Sequence, residues 1–421
     1  MGINRRRFLA GTGLLAACGC SAAIGRAFGA DKAALPKFRI RRLTSEPKHH
    51  FFGYYGICPW NKSQNYIVCL ESDFQDHFPQ ADEPASIGLV DCETGKFTRI
   101  SQTNAWNLQQ GAMLHWNPLN PDNEIIYNDR RDNEIVSVIL DVHSGRKRIM
   151  PRAVSAVSNN GRYALSLTYG RLARLRKTVG YLGTTDPNPN SPAPDNDGVF
   201  LMDLVSGESK LVVSIEKVQR MLVGNHPELQ TRHMWFNHTV FNRADTRFLF
   251  LARSNESSGG LQTGMFTANL DGSDLREVVP YGSGVSHFDW RNDKQIIATF
   301  NYQGGGRRHV LFTDGEKDFQ IVGEGFLRGD GHCTFSPDQE WLATDQSVSA
   351  AMAKSLVIFN PKTKQGLVLG KFDMPEKRYL SGDLRCDLHP RWNRTGDAIC
   401  IDAIDRDTAT RQLHIAYLDS I

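Results

Sequence analysis

Ser336-Pro337-Asp338-Gln339-Glu340-Trp341-Leu342-Ala343-Thr344 joins a short polar turn to a strand-forming run, and copies of this arrangement recur along the chain. Asn61-Lys62-Ser63-Gln64 stands ahead of YIVCL, Asn159-Asn160-Gly161 ahead of RYALSL, and Asn242-Arg243-Ala244-Asp245 ahead of TRFLFLA. Arg291-Asn292-Asp293 precedes KQIIATF, Asn393-Arg394-Thr395-Gly396 precedes DAICIDA, and a looser copy from Asn117 to Asp122 precedes NEIIYND. Most units continue into a second hairpin, as in GLVDCETGKFTRI and FLMDLVSGESKLVV. Seven units of about four short strands each predict an all-β, seven-bladed β-propeller of four-stranded antiparallel blades.

Apolar and polar residues alternate at period two within the runs, and beyond residue 30 no long stripe repeats at helical period. Helices are therefore expected to be minor. The last unit ends with LHIAYLDSI at the chain terminus, so its outermost strand is expected from the N-terminal FRIRRL, Phe38 to Leu43. Such closure removes exposed sheet edges. Residues 31–421 then read as one propeller domain, with a loop insertion near 183–197 (TTDPNPNSPAPDNDG) over one face.

Residues 1–30 read as an address. Arg5-Arg6-Arg7-Phe8-Leu9 followed by LAGTGLLAACG looks like a twin-arginine export signal, too short and glycine-rich for a membrane span. Leu15-Ala16-Ala17-Cys18 resembles a lipoprotein box, with ordinary cleavage at Ala27-Phe28-Gly29 as the rival. The expectation is an exported, periplasmic or cell-surface protein, touching a membrane only through a lipid on Cys18. The 49 Lys and Arg face 46 Asp and Glu, and four of the arginines lie in residues 1–30, so the remainder is about neutral. Bulk charge implies no nucleic-acid partner. Cys69, Cys92 and Cys400 sit in strand-like runs and are expected to pack as small apolar residues.

Five histidines, His115, His238, His287, His332 and His389, stand just ahead of the polar turns and read as one repeated address. In a propeller such positions converge on the central channel. His238, His287, His332 and His389 come from four consecutive units and form a candidate site for a divalent ion (Zn, Mn or Ca), imidazole being a versatile ligand. His115, read as facing them, suits acid or base work better. In His49-His50-Phe51-Phe52-Gly53-Tyr54-Tyr55-Gly56, His49, His50, Tyr54 and Tyr55 combine proton-transfer groups with flat apolar surfaces, a mixture that binds sugars; a plug of the channel fits the same residues. Arg171 and Arg174, between Tyr169 and Tyr181 beside the insertion, suit an anionic ligand, although a solvated basic strand reads equally well.

HHFFGYYG, NLQQGAMLHW, SLTYGRLARLR, FNHTVFN, GDGHCTFSPDQEWLATD and RCDLHPRW together resemble an exported seven-bladed family similar to ulvan lyases and, more distantly, oligogalacturonate lyases. The blade turns are shared with TolB-like propellers. The resemblance implies β-elimination on uronic-acid-containing polysaccharides or oligosaccharides, with a metal bound by propeller histidines. On that reading Arg171 and Arg174, or the metal, neutralise the uronate carboxylate. His115 and either Tyr169 or Tyr181 share the proton transfers, while Gln109 and Gln110 join the sugar-binding residues. Ulvan lyases use a pair of histidines on early blades, whereas only His115 stands there in this chain. A uronate C5-epimerase and a noncatalytic glycan- or protein-binding propeller are the alternative readings.

Overall fold

The computed structural model describes residues 35–419. The export segment 1–30, with Arg5 to Arg7 and Cys18, lies outside the described residues.

Among the described residues, twenty-eight strands form seven antiparallel four-stranded sheets. Their inner strands begin at an upper rim and end in the polar turns at a lower rim. Blade 1 starts at His49–Phe51, blade 2 at His115–Trp116, blade 3 at Ala156–Val157 and blade 4 at Met234–Phe241. Blades 5, 6 and 7 start at Phe288–Trp290, Thr334–Phe335 and Arg391–Trp392. Blade 7 is completed from the other end of the chain: Lys37–Arg42 pairs with Arg411–Asp419, from Lys37 opposite Asp419 to Arg42 opposite His414.

The turns recur because each does two jobs. Asn61 Oδ1 accepts from Tyr66 N at 3.0 Å, while Asn61 Nδ2 donates to Asp122 of blade 2 at 2.8 Å. Asn159 N donates to Asp245 at 2.8 Å, joining blades 3 and 4, and Arg394 donates to the carbonyls of Trp60 and Asn61, joining blade 7 to blade 1. A second stitch comes from the tryptophans that end three of the inner strands. Trp116, Trp290 and Trp392 donate Nε1 to the carbonyls of Pro59, Val240 and Thr334 on the preceding blade, at 2.8, 3.2 and 3.2 Å. The buried aliphatic faces of neighbouring sheets pack between these stitches.

Two departures from regular blades shape the channel. Phe51 and Trp60 both pair with one strand, opposite Leu70 and Ile67, so residues 52–59 loop out between them. Tyr54 and Tyr55 are thereby carried into the channel. In blade 3 the basic run forms a helix, Tyr169–Leu175, rather than a strand. A second short helix, Ile215–Leu222, is capped by Ser214, whose side chain accepts from Lys217 N.

Candidate active site

Counting from the stitching aromatic sorts the channel into two rings. One residue before it stand His115, Asp289, Thr334 and Arg391, with Val240 and Ala156 at the same position of blades 4 and 3. Three residues before it stand His238, His287, His332 and His389 on blades 4 to 7, but Ile57, Met113 and Val154 on blades 1 to 3. Backbone conformation supports this alignment: Met113, His238 and His389 all have left-handed φ, at 50°, 59° and 45°. Non-glycine residues seldom adopt that region, and the strain concentrates at functional positions. In blade 4 it accompanies a register shift between Asn237 and Val240.

His115 is therefore two residues out of step with the other four. It does not face them. It lines the lower cavity with Arg243, Asp289 and Arg391, whereas His287 and His332 line the upper one. It stands two residues before its turn at Asn117, whereas the others stand four residues before Asn242, Arg291, Ser336 and Asn393.

The four ring histidines converge. The ring centroids of His287 and His332 are 3.8 Å apart, and those of His332 and His389 are 4.4 Å apart. Tyr54 fills the space between them, its centroid 4.8 Å from that of His238 and 5.3 Å from that of His389, with its hydroxyl 3.2 Å from His238 Nε2. Burial pushes the Tyr54 hydroxyl up to about 12 and holds His238 well below its ordinary value. Tyr55 lies against His238 and stacks on Phe288. The tyrosines plug the channel and also form its polar lining.

Carboxylates fix the imidazoles. His332 Nδ1 lies 3.1 Å from both oxygens of Asp345, which also accepts from His332 N and Leu388 N. An ionised carboxylate only accepts, so Nδ1 carries the proton and Nε2 keeps its lone pair. His287 is held likewise, with Nδ1 2.6 Å from Asp330. His389 is fully buried, and both its nitrogens lack a hydrogen-bond partner; the nearest carboxylate, Asp402, is 3.9 Å from Nδ1. Burial drops His332 to about 3 and lowers His389, so both are neutral.

One metal-binding group emerges among the described residues. His332, Asp387 and His389 bring their ligand atoms within 4.8 Å of one another. The donor set fits a divalent cation: the free Nε2 of His332, the unpartnered His389 and an ionised carboxylate. Burial would push the Asp387 carboxyl up, but Arg385, 2.7 Å away, and the contacting Lys354 outweigh it and hold it well below its ordinary value. Asp387 was not anticipated. Its signal is the spacing Asp387-Leu388-His389, which sets a carboxylate two residues ahead of a ring histidine.

A cavity of about 510 Å³ opens beside this group, lined by Arg176, His287, Asp330, His332, Arg385 and Asp387 among others. Arg171 and Arg174 do not reach it. Arg171 is buried and donates to Asp186 and to the carbonyls of Met234, Asn188, Ser191 and Pro192, pinning the insertion. Arg174 pairs with Asp186 at 2.7 Å. Arg176, just past the end of the same helix, has no side-chain hydrogen bond or ion pair among the described residues and lines the cavity.

The other anticipated residues are dispersed. Tyr169 and Tyr181 stack with centroids 4.4 Å apart; Tyr169 donates to Val154 O, and Asn128 donates weakly to the Tyr181 hydroxyl. Gln110 ties Val179 O, and Gln109 ties Arg385 O. His49 accepts from Arg411 N, and His50 is held between Gln412 and Glu71, both at the junction of blades 1 and 7.

No protein-family model matches the chain, and no curated protein matches it. Among solved structures it is similar to an oligogalacturonate lyase in complex with manganese, at 13% identity and a TM-score of 0.64, over 94% of this chain and 98% of that one. An oligogalacturonate lyase from Vibrio parahaemolyticus matches at 13% identity and a TM-score of 0.62, over 93% and 96%. A prolyl endopeptidase matches at 10% identity and a TM-score of 0.51, over 90% of this chain but 51% of the other. At such identities the likeness is one of fold. The chain is a seven-bladed propeller that shares its architecture with the oligogalacturonate lyases along nearly its whole length.

Proposed function

We propose that the upper cavity binds a uronate residue of an acidic oligosaccharide or polysaccharide and cleaves its chain by β-elimination. The observation that carries this reading is the Asp330–His287 pair opening on a cavity that also holds an unpaired arginine. Asp330 keeps the proton on His287 Nδ1, so Nε2 is available as a base. Arg176 supplies a guanidinium for the sugar carboxylate, whose charge grows as the neighbouring carbon loses its proton.

The proton leaves C5 for His287 Nε2, its electron pair forms the C4–C5 double bond, and the C4–O bond breaks. The departing oxygen takes a proton from solvent at the open cavity. His332, Asp387 and His389 would hold the divalent ion, which supplies Lewis-acid neutralisation of the uronate carboxylate. Arg385 keeps Asp387 ionised and lies in the same wall. The neighbours' fold and the manganese in one of them support the reading at the level of class. The twin-arginine-like sequence of residues 1–30 supports an activity outside the cytoplasm, checked by fractionation of the expressing cell.

The test is incubation of the purified protein with a panel of uronic-acid substrates, oligogalacturonates and ulvan included, following ultraviolet absorbance from the unsaturated product. Absorbance that depends on His287 supports elimination. Deuterium uptake at C5 without absorbance would replace elimination by epimerisation, and neither signal would leave a binding protein.

A further inference from the structure

The lower cavity is the second built space in this molecule, and the elimination reading leaves it unused. It measures about 310 Å³, at the small end of the range for ligand pockets, roughly 300–1,000 Å³. Tyr55 lines its inner end and also packs against His287 and His332, so the tyrosine plug stands between the two cavities.

Its walls carry an unusual polar set for a propeller channel. Arg391 is 5% exposed; its Nε donates to Tyr54 O at 2.8 Å and its Nη1 to Pro390 O at 2.9 Å, leaving Nη2 without a partner. Arg243, from the turn of blade 4, has an unpartnered Nε. His115 is 7% exposed, and its Nε2 has no partner either. Asp289 accepts from Thr334 at 2.8 Å and feels both arginines without forming a close ion pair with either. Buried polar atoms left unpaired cost about 1–3 kcal/mol each, so three in the walls of one cavity call for an explanation.

We propose that this cavity is a second binding site, selective for a small hydroxy-carboxylate about the size of one sugar acid. Arg243 and Arg391 approach from blades 4 and 7, and an arginine always charged is matched by a carboxylate. Three guanidiniums, Arg243, Arg391 and Arg394, against the one carboxylate of Asp289 make the wall net positive, which suits an anion; Arg394 is engaged with the carbonyls of Trp60 and Asn61, and Asp289 disfavours an oxyanion of high charge. Asp289 and His115 Nε2 accept from hydroxyls, a role acetate does not fill and inorganic phosphate, with its few P–OH groups, fills only in part. Trp290 and Trp392 provide flat apolar wall.

The test is calorimetric titration of the full chain with D-gluconate and D-galacturonate, against acetate, inorganic phosphate and D-galactose. D-gluconate, the probe that is not a uronate, binds wild type and Arg176→Ala alike, because Arg176 belongs to the upper cavity. Arg243→Gln weakens binding at least tenfold with unchanged elimination activity, and His115→Asn weakens it as well. Arg243 lies half-exposed on a turn, so its variant melts like wild type. Binding lost in Arg176→Ala but kept in Arg243→Gln would assign the ligand to the upper cavity and overturn the proposal. Equal affinity for acetate or phosphate, or no binding by any probe, would overturn it too.

Discussion

Blades 1 to 3 and blades 4 to 7 present the same backbone position to the upper channel and fill it with opposite chemistry. Ile57, Met113 and Val154 are apolar; His238, His287, His332 and His389 are not. Met113 even shares the left-handed conformation of His238 and His389, so the geometry of the address does not by itself make a site. What differs is the support. Asp330 and Asp345 stand behind the histidines of blades 5 and 6, and Asp387 lies two residues before that of blade 7, whereas Met113 borders the stacked aromatic Tyr169. The repeat supplies position, and carboxylates outside it supply function.

The sharpest way to break this contrast is to remove the base. His287→Ala is expected to lower kcat by about 10²–10⁴, the usual weight of a general base, while bound metal measured by elemental analysis stays unchanged. Asp330→Asn should fall in the same direction by less, since the imidazole remains but its tautomer is no longer fixed. A His287 variant that kept full turnover would move the chemistry elsewhere.

The next test divides the four histidines. His389→Ala should strip the metal and abolish its stabilisation against heat, with a melting temperature that no longer responds to added divalent ion. His238→Ala should retain metal, because His238 engages the Tyr54 hydroxyl rather than the group of His332, Asp387 and His389. Unchanged metal content in both variants would dissolve the proposed centre.

The arginines of the one basic run offer a third comparison. Arg176→Ala is expected to raise KM about tenfold or more, the order of a charge-assisted hydrogen bond, about 1.5–3 kcal/mol, with stability intact. Arg171→Ala should do the reverse, costing about 3–5 kcal/mol of stability by leaving the buried Asp186 short of a partner while sparing KM. Equal KM effects would mean that the insertion, not Arg176, shapes the pocket.

Most of the architecture was legible because it rests on local patterns. The polar turns cap strands and stitch blades with the same atoms, so they had to recur; the closing strand Phe38 to Leu43 followed from a unit one strand short. Convergence of four histidines followed from their phase. His115 is out of place because it stands two residues before Asn117, not four as the ring histidines stand before their turns, and Trp116 keeps that register through its bond to Pro59. Asp330, Asp345 and Asp387 carry no repeat and come from long-range packing. Arg171 and Arg174 read as ligand-facing because the run is basic and borders the insertion, a signal that does not say which arginine faces the cavity. In the helix Tyr169–Leu175 the first two turn toward Asp186, and the cavity is left to the residue just past its end.

Buried histidines beyond the ring sharpen the contrast by lacking a site. Burial holds His414, in the last strand of blade 7, at about 4 against an ordinary value of 6.5. Between those values the unfolded chain binds the proton and the folded one does not, so stability rises with pH there. The stabilisation is complete above pH 6.5 and is lost as pH falls toward 4, about 1–3 kcal/mol for one such group. His414→Gln should flatten that part of a denaturation-against-pH curve and leave turnover alone. A curve as steep as wild type would place the acid sensitivity on other groups.

The smallest expected effect bears most directly on why the two halves differ. Met113→His puts an imidazole at the ring position of blade 2, on backbone already in the required conformation. No carboxylate is hydrogen-bonded there to fix a tautomer; the neighbours are Tyr54, Tyr55, Leu167 and Tyr169. The variant should lose about 1–3 kcal/mol from exchanging a buried apolar side chain for a polar one, with metal stoichiometry and turnover unchanged. A second equivalent of metal in this variant would show that backbone position suffices, and that the carboxylates of blades 5 to 7 tune a site they are not needed to create.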